Sequence, residues 1–214
     1  LDHPLASDSR VIERIFQYQH SSGGTFNYIG DDPGHVEEQA TLGTLNSSFF
    51  GHLMVALGEK DRALATGEFL RRFVEANREY IPQGLFYTQM TPAGELIPEA
   101  EPGQRYSRVV QAMEPKQEFW QTGTTMAYLA VLYEAVREQW GGEAQARPYL
   151  EAALELLPFD AMQPLEGYLW PSKCKVGWGT GELLRVLCKY GLGTDEQVED
   201  AAAELGGLDA LVNN

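Results

Sequence analysis

A chain of 214 residues, 43% hydrophobic and 22% charged, carries enough apolar material for one well-filled domain and is not composed like a disordered segment. With 31 Asp and Glu against 16 Lys and Arg, its formal net charge is −15. That balance argues against nucleic acid, whose phosphates demand an excess of cations, and against anionic membrane surfaces; an acidic, solvated surface is its plain reading. No apolar run approaches the roughly 18 residues of a membrane span, and LDHPLASDSR is not patterned as a signal peptide. A cytoplasmic protein with no membrane association is therefore expected. With Leu at position 1, the sequence is compatible with a trimmed chain or with part of a longer protein.

In chain order, the first helix is expected to start at Ser7 or Asp8, either of which can cap free N–H groups. Val11, Ile12, Ile15 and Phe16 then recur at helical spacing until SSGG ends the run. DDPGH reads as a turn broken by Pro33 and Gly34. A second helix is predicted from Val36 to Leu57, stopped by Gly58, and an amphipathic third over EKDRALATGEFLRRFVEANREY, with Leu64, Phe69, Leu70 and Phe73 inward. GLFYTQMTPAGEL predicts a short hairpin turning at TPAG, and IPEAEPGQ a Pro- and Glu-rich loop. The fourth helix spans Gln117 to Trp140, and the fifth runs from Glu143 to Leu157, ending at Pro158. A sixth, carrying Leu183, Leu184, Val186 and Leu187, reaches Tyr190. The last starts near Thr194, and GGLDALVNN is expected to fray.

A unit recurs three times: an amphipathic helix, a Gly-aromatic extended stretch, a polar loop, then Gly-Thr opening an apolar helix. The Gly-aromatic stretches are GGTFNY, GLFYTQ and GYLWPS; the openings are Gly43-Thr44, Gly123-Thr124 and Gly179-Thr180. A helix–loop–helix unit cannot bury its apolar face alone and must stack on its neighbours. The helices after Gly-Thr are rich in small and apolar residues, as an inner layer would be, and those between them are charged on one face, as an outer layer would be. The expectation is a single all-α domain over 1–214, an α/α toroid, complete or incomplete, with short β-hairpin-like loops.

The run QYQHSSGGTF, Gln17 to Phe26, is similar to the Gln-x-x-x-x-Gly-Gly-x-aromatic segments of the terpenoid cyclase and protein prenyltransferase toroids. KQEFWQTGTTMAYLAVLYEAV, after GLFYTQMTPAGEL, resembles the N-acylglucosamine 2-epimerase and six-hairpin glycosidase group. Each resemblance covers tens of residues, and both imply a toroid with a ligand cavity where the inner helices begin. The departures are specific. The Asp-x-Asp-Asp motif of triterpene cyclases is missing, Asp31-Asp32 being only a pair. The zinc-binding Asp, Cys and His of prenyltransferases have no counterpart, and the paired catalytic histidines of the epimerases cannot be placed, since no His follows His52. A six-hairpin ring needs about twelve helices where about seven are predicted, so the ring is open, short, or completed by missing sequence or a partner; a homodimer covering its open edge is compatible with every functional reading.

Candidate chemistry falls on three loops. Before the first Gly-Thr stand Asp31, Asp32, His35, Glu37, Glu38 and Gln39. Carboxylates are at home at a helix N-terminus through the macrodipole alone, yet one surrounded by aromatics would have its pKa raised and suit general acid or base work. Glu38 or Glu37, with Asp31 or Asp32 as alternatives, is the expected catalytic group. Before Gly123, Lys116 and Glu118 are either a surface pair or, with Trp120 and Gln121, part of a ligand pocket. Before Gly179, Trp170, Lys173, Lys175 and Trp178 combine aromatics with cations. Tyr28, Tyr87 and Tyr168 could line the same mouth, whereas Phe86 reads as a core plug.

Cys174 and Cys188 do not form a disulfide framework; both read as reduced thiols, Cys188 packed in its helix. No CxxC or HxxxH spacing exists among the Cys and His residues, and no phosphate loop, dinucleotide fingerprint or nucleophile elbow appears, so neither metal nor cofactor is expected. The first reading is a cofactor-independent isomerase or cyclase acting on a small, largely apolar or polycyclic molecule. The alternatives are a carbohydrate epimerase or glycoside hydrolase using paired carboxylates, and a non-enzymatic helical-repeat scaffold. A mainly apolar cavity wall would favour the first.

Overall fold

The computed structural model describes residues 8–26, 41–98, 108–164 and 172–212, with the backbone path alone for 204–212. Among the described residues the chain is mostly helical, 66% helix in seven helices with small antiparallel strand pairs. Helix α1, Ser9–Phe16, starts where expected, the Asp8 carboxylate accepting from the Arg10 N–H at 3.0 Å. Helix α2, Thr44–Leu57, opens at Gly43 and stops at left-handed Gly58. Helix α3, Lys60–Asn77, buries Phe69, Leu70 and Phe73 as its periodicity requires.

Short strands link the helices. Strand β1, Leu42–Gly43, pairs antiparallel with β3, Gln89–Met90, and β2, Leu85–Tyr87, pairs antiparallel with β4, Val109–Gln111. The turn expected at TPAG is present, closed by the Met90–Leu96 bridge and a 2.9 Å bond from Gly94 N–H to the Thr91 carbonyl. The partner of β2, however, comes from β4 and not from the other arm of that turn. Phe86 lies wholly buried between Phe73 of α3 and Phe159, ring centroids 6.2 and 6.0 Å apart. Burial of side chains of this size contributes about 1.5–3 kcal/mol each.

Several helix boundaries differ from expectation: α2 begins at Thr44 and not at Val36, since Leu42–Gly43 form β1. Helix α4, Trp120–Ala135, prolonged by a π-helical turn Val136–Trp140, begins after the expected Gln117 and ends at Trp140 as expected. Helix α5, Glu143–Ala161, continues through Pro158. Pro158 is exposed while Phe159 and Asp160 beside it are fully buried, so tertiary packing of the last turn outweighs one lost backbone bond. Helix α6, Cys174–Tyr190, begins before Gly179, and α7, Asp195–Val212, runs through the stretch expected to fray.

Helices α2, α4 and α6 form one layer and α3, α5 and α7 the other. Each even-numbered helix packs on the odd one that follows it, and α4 also packs on α2 and, most extensively, on α6. Pairs along the α2–α4 interface advance together: Thr44 with Gln121, Ser48 with Thr125, Gly51 with Tyr128. The same holds for α4–α6, where Gly123 meets Gly179 and, further along, Glu134 meets Arg185 and Glu138 meets Lys189. The three helices of this layer therefore run parallel. The helices read as apolar share one layer, although α6 in that layer keeps an exposed face with Arg185, Cys188 and Lys189.

Gly123 and Gly179 do not open helices, unlike Gly43. A Cβ on Gly123 would fall well inside 3.0 Å of the Lys175 carbonyl, and one on Gly179 well inside 3.0 Å of the Gly123 carbonyl. The Gly-Thr pairs in α4 and α6 thus mark a close backbone crossing. The adjoining hydroxyls turn inward, Thr124 to the Trp120 carbonyl at 2.7 Å and Thr180 to the Val176 carbonyl at 3.1 Å.

Candidate functional site

Asp31, Asp32, His35, Glu37, Glu38, Gln39, Tyr28, Tyr168 and Trp170 lie outside the described residues. The chain leaves the first described segment at Phe26 and β1 begins at Leu42, and these two residues form an antiparallel bridge. The described residues on either side, Phe26 and Leu42, thus meet at one place in the fold.

That place is the wall of an open cleft of about 380 Å³, within the size range of small-molecule sites. Ile15, Phe26, Phe49, Phe50 and Leu53 form its apolar surface, and Tyr18, Thr25 and Asn46 contribute polar groups. Helix α1 supplies one side: none of its residues is fully buried, so part of its apolar face is left to the cleft. Helix α2 supplies the other, with Phe49 46% exposed. The floor between them is fixed by short bonds. Phe26 N–H donates to the Tyr18 carbonyl at 2.9 Å, and Thr25 N–H to Ser47 Oγ at 3.0 Å. The Gln19 amide donates to Arg62 O and Thr66 Oγ1 at 2.9 and 3.0 Å, tying the segment to α3. Among the described residues, none of the predicted site residues lines this cleft, and no charged side chain does.

The constellation before Gly123 is partly assembled. Thr44 Oγ1 donates to Gln121 Oε1 at 2.8 Å, and Gln121 Nε2 donates to Glu118 Oε2 at 2.9 Å. Gln121 is buried and joins the first turns of α2 and α4, a linking role. Trp120 is half-buried, with its indole N–H out of water and without a hydrogen-bond partner. Lys116 sits exposed in the preceding turn at φ 61° and takes no part in these bonds. Tyr87 is held by the buried Asn77, which donates to its carbonyl at 3.1 Å and accepts from its N–H at 2.8 Å. Its ring packs edge-on against Tyr80 at 4.9 Å, so its contacts are structural.

Trp178 spans the layer. From α6 it stacks on His52 of α2 at 4.9 Å and on Phe49 at 6.3 Å, and Lys175 Nζ lies 5.6 Å from its ring centroid. It therefore backs the cleft wall through Phe49. His52 also meets Tyr128 of α4 at 5.4 Å. Burial lowers its pKa to about 4, against a smaller upward pull from Glu182. Its Nε2 is buried and without a partner, the state of a neutral stacked ring.

Lys173, expected as a loop cation, is fully buried and donates to the Asp160 carbonyl at 3.3 Å. The Asp160 carboxylate accepts from Thr122 at 2.8 Å and Gln163 at 3.1 Å. This polar knot between α4, α5 and the start of α6 was hidden in the sequence because Asp160 follows Pro158, where the helix was expected to have ended. Cys174 and Cys188 are both exposed, so Cys188 lies in its helix but is not packed. Among the described residues no group of three or more His, Cys, Asp or Glu is placed to hold a metal ion, and no helix is long and apolar enough to cross a membrane.

Compared with family models, with curated proteins and with solved structures, the chain matches none.

Proposed function

We propose that the chain is an α/α-toroid-type isomerase or cyclase that binds a small, largely apolar molecule and rearranges it by carboxylate-driven proton transfer. The observation that carries this reading is the wall of the cleft, built chiefly of aromatic and aliphatic side chains. A sugar exposes hydroxyls on every side, and burying them against such a wall without partners is costly; an apolar molecule has no such penalty. The toroid reading draws support from the parallel run of α2, α4 and α6, each followed by an outer helix, and from Phe49 and His52 reaching Trp178 across α4.

In this reading Glu38 or Glu37, with Asp31 or Asp32 as alternatives, moves the proton. In the sequence they fall between Phe26, which lines the cleft, and Leu42, its bridge partner. A carboxyl desolvated by aromatic neighbours gains the raised pKa that suits a proton donor near neutral pH. Phe26, Phe49 and Phe50 would present π faces to positive charge developing on the substrate, with Trp178 supporting Phe49.

Proton transfer to carbon leaves an isotopic record. Small lipophiles that bind the protein are to be incubated with it in D₂O and followed by mass spectrometry for deuterium gain or isomerisation. The expected result is enzyme-dependent label in at least one compound, with turnover reduced about 10²- to 10⁴-fold by one of Glu37→Gln, Glu38→Gln, Asp31→Asn or Asp32→Asn. Full turnover in all four variants, or no labelled or isomerised product from any bound compound, would overturn the proposal.

A further inference from the structure

We infer that a second pocket, formed by α3, Ser22 and the turn at Thr91–Gly94, binds a small carboxylate with a short apolar tail, and that Arg72 holds its charge. The pocket, about 190 Å³, shares no lining residue with the cleft, and its ligand is independent of the function proposed there. From α3, Arg72 donates through Nη2 to the Ser22 carbonyl at 2.8 Å and through Nε to the Glu68 carbonyl at 3.4 Å. Ser22 and Arg72 line the same pocket, so two backbone oxygens hold the guanidinium at its edge. Among the described residues no carboxylate pairs with Arg72, in a chain of 31 Asp and Glu against 16 Lys and Arg. Glu68 and Glu75, the acids next to it on α3, both go to Arg71, at 2.6 and 3.4 Å, and Glu95 beyond the turn forms no ion pair with it. Two of the five guanidinium N–H groups are used; the three that remain belong to a planar fork suited to a carboxylate.

The walls set the rest of the ligand. Phe69 and Met90, both buried, give the pocket an apolar floor, and Pro92 and Ala93 of the turn close one side. The turn is stitched at three points: Thr91 N–H to the Glu95 carbonyl at 2.8 Å, Gly94 N–H to the Thr91 carbonyl at 2.9 Å, and Glu95 N–H to Thr91 Oγ1 at 3.2 Å. That side is therefore in place before a ligand arrives, which lowers the cost of binding. The volume equals that of about six waters, room for a carboxyl group and a tail of about three carbons. One guanidinium balances one negative charge. Phosphate would bring further charge into a chain of net charge −15 and leave the apolar floor unused.

Amide-resolved NMR titration of the full chain at pH 7 and constant ionic strength, with sodium butyrate, butyramide, acetate and inorganic phosphate, reads place and class together. Butyrate is expected to give saturable shifts at Ser22, Met90, Thr91 and Gly94. Butyramide, of the same shape but uncharged, binds at least about tenfold more weakly, acetate about threefold to tenfold more weakly for want of two methylenes, and phosphate more weakly than butyrate. Butyrate affinity falls at least about threefold in Arg72→Gln and also in Ala93→Glu, which sets a carboxylate on the exposed turn and leaves Arg72 and its bonds in place. It is unchanged in Arg78→Gln, where the same charge is lost from a residue paired with Glu155. Butyramide, acetate or phosphate binding as tightly as butyrate, a smaller loss in Arg72→Gln or Ala93→Glu, a comparable loss in Arg78→Gln, or no butyrate shifts at these amides would each overturn the inference, and none of them bears on the cleft.

Discussion

Gly123→Val is expected to destabilise the protein by at least about 3 kcal/mol, a large part of the 5–15 kcal/mol that holds a typical domain folded. The obstruction is backbone: the carbonyl of Lys175 and the amide of Val176 occupy the space a Cβ would need. A flexible side chain could step aside, but here α4 and α6 would have to separate, and theirs is the most extensive helix interface described in the protein. Separation would also loosen Gly179 against the Gly123 carbonyl and the pairs of Glu134 with Arg185 and Lys189, each 2.6 Å. Urea unfolding followed by circular dichroism gives the measurement. Gly58→Ala is the comparison, since open space surrounds that position and only its left-handed backbone resists; about 1 kcal/mol is expected there. A Gly123→Val unfolding free energy within about 1 kcal/mol of wild type would contradict the crossing.

The second large effect is on acid stability. Burial of His52 holds its pKa at about 4, below the unfolded 6.5. Between these values the unfolded chain binds the proton and the folded one does not, so stability rises with pH through the window. Its contribution is complete above pH 6.5 and lost as the pH falls towards 4, by about 3 kcal/mol at 1.36 kcal/mol per unit. Glu134, held at about 2 chiefly by its bond to Arg185, contributes stability present above 4.5 and lost on approach to 2, a separate and more acid window. Urea midpoints at pH 7 and pH 4.5 are expected to differ markedly in wild type and much less in His52→Phe, which keeps an aromatic ring against Trp178 and Tyr128. The same pH slope in both proteins would show that His52 titrates without hindrance.

How much of this was legible in the sequence depends on the range of the forces involved. Local signals were read correctly: Asp8 as a cap, Gly58 as a stop, the inward face of α3, the turn at Thr91–Gly94. Of the three helices read as apolar, α4 is buried along nearly its whole length, whereas α2 and α6 keep exposed residues such as Phe49 and Arg185. What failed depends on tertiary contact. Gly123-Thr124 and Gly179-Thr180 have the form of helix openings, and nothing local distinguishes such a glycine from one that admits a neighbouring backbone. Pro158 reads as a terminator unless the turn beyond it is known to be buried. Lys173 reads as a solvated loop cation until Asp160 is brought beneath it. The residues of the cleft were missed for the same reason. Phe49, Phe50 and Leu53 look like helix core, and only the packing of α1 and the Thr25–Phe26 segment leaves a gap beside them. The one available signal was Phe26, the aromatic that closes the Gly-Gly-x-aromatic run.

On the proposed function, the gap on the α1 side of α2 is a binding site for small apolar molecules. Its most direct measurement is an amide-resolved NMR titration with naphthalene. Saturable shifts confined to the neighbourhood of Tyr18, Thr25, Phe26, Asn46, Phe50 and Leu53, and weakened in Phe50→Ala, are the predicted result. Shifts centred elsewhere in the fold, or none at concentrations near the solubility limit, would contradict it.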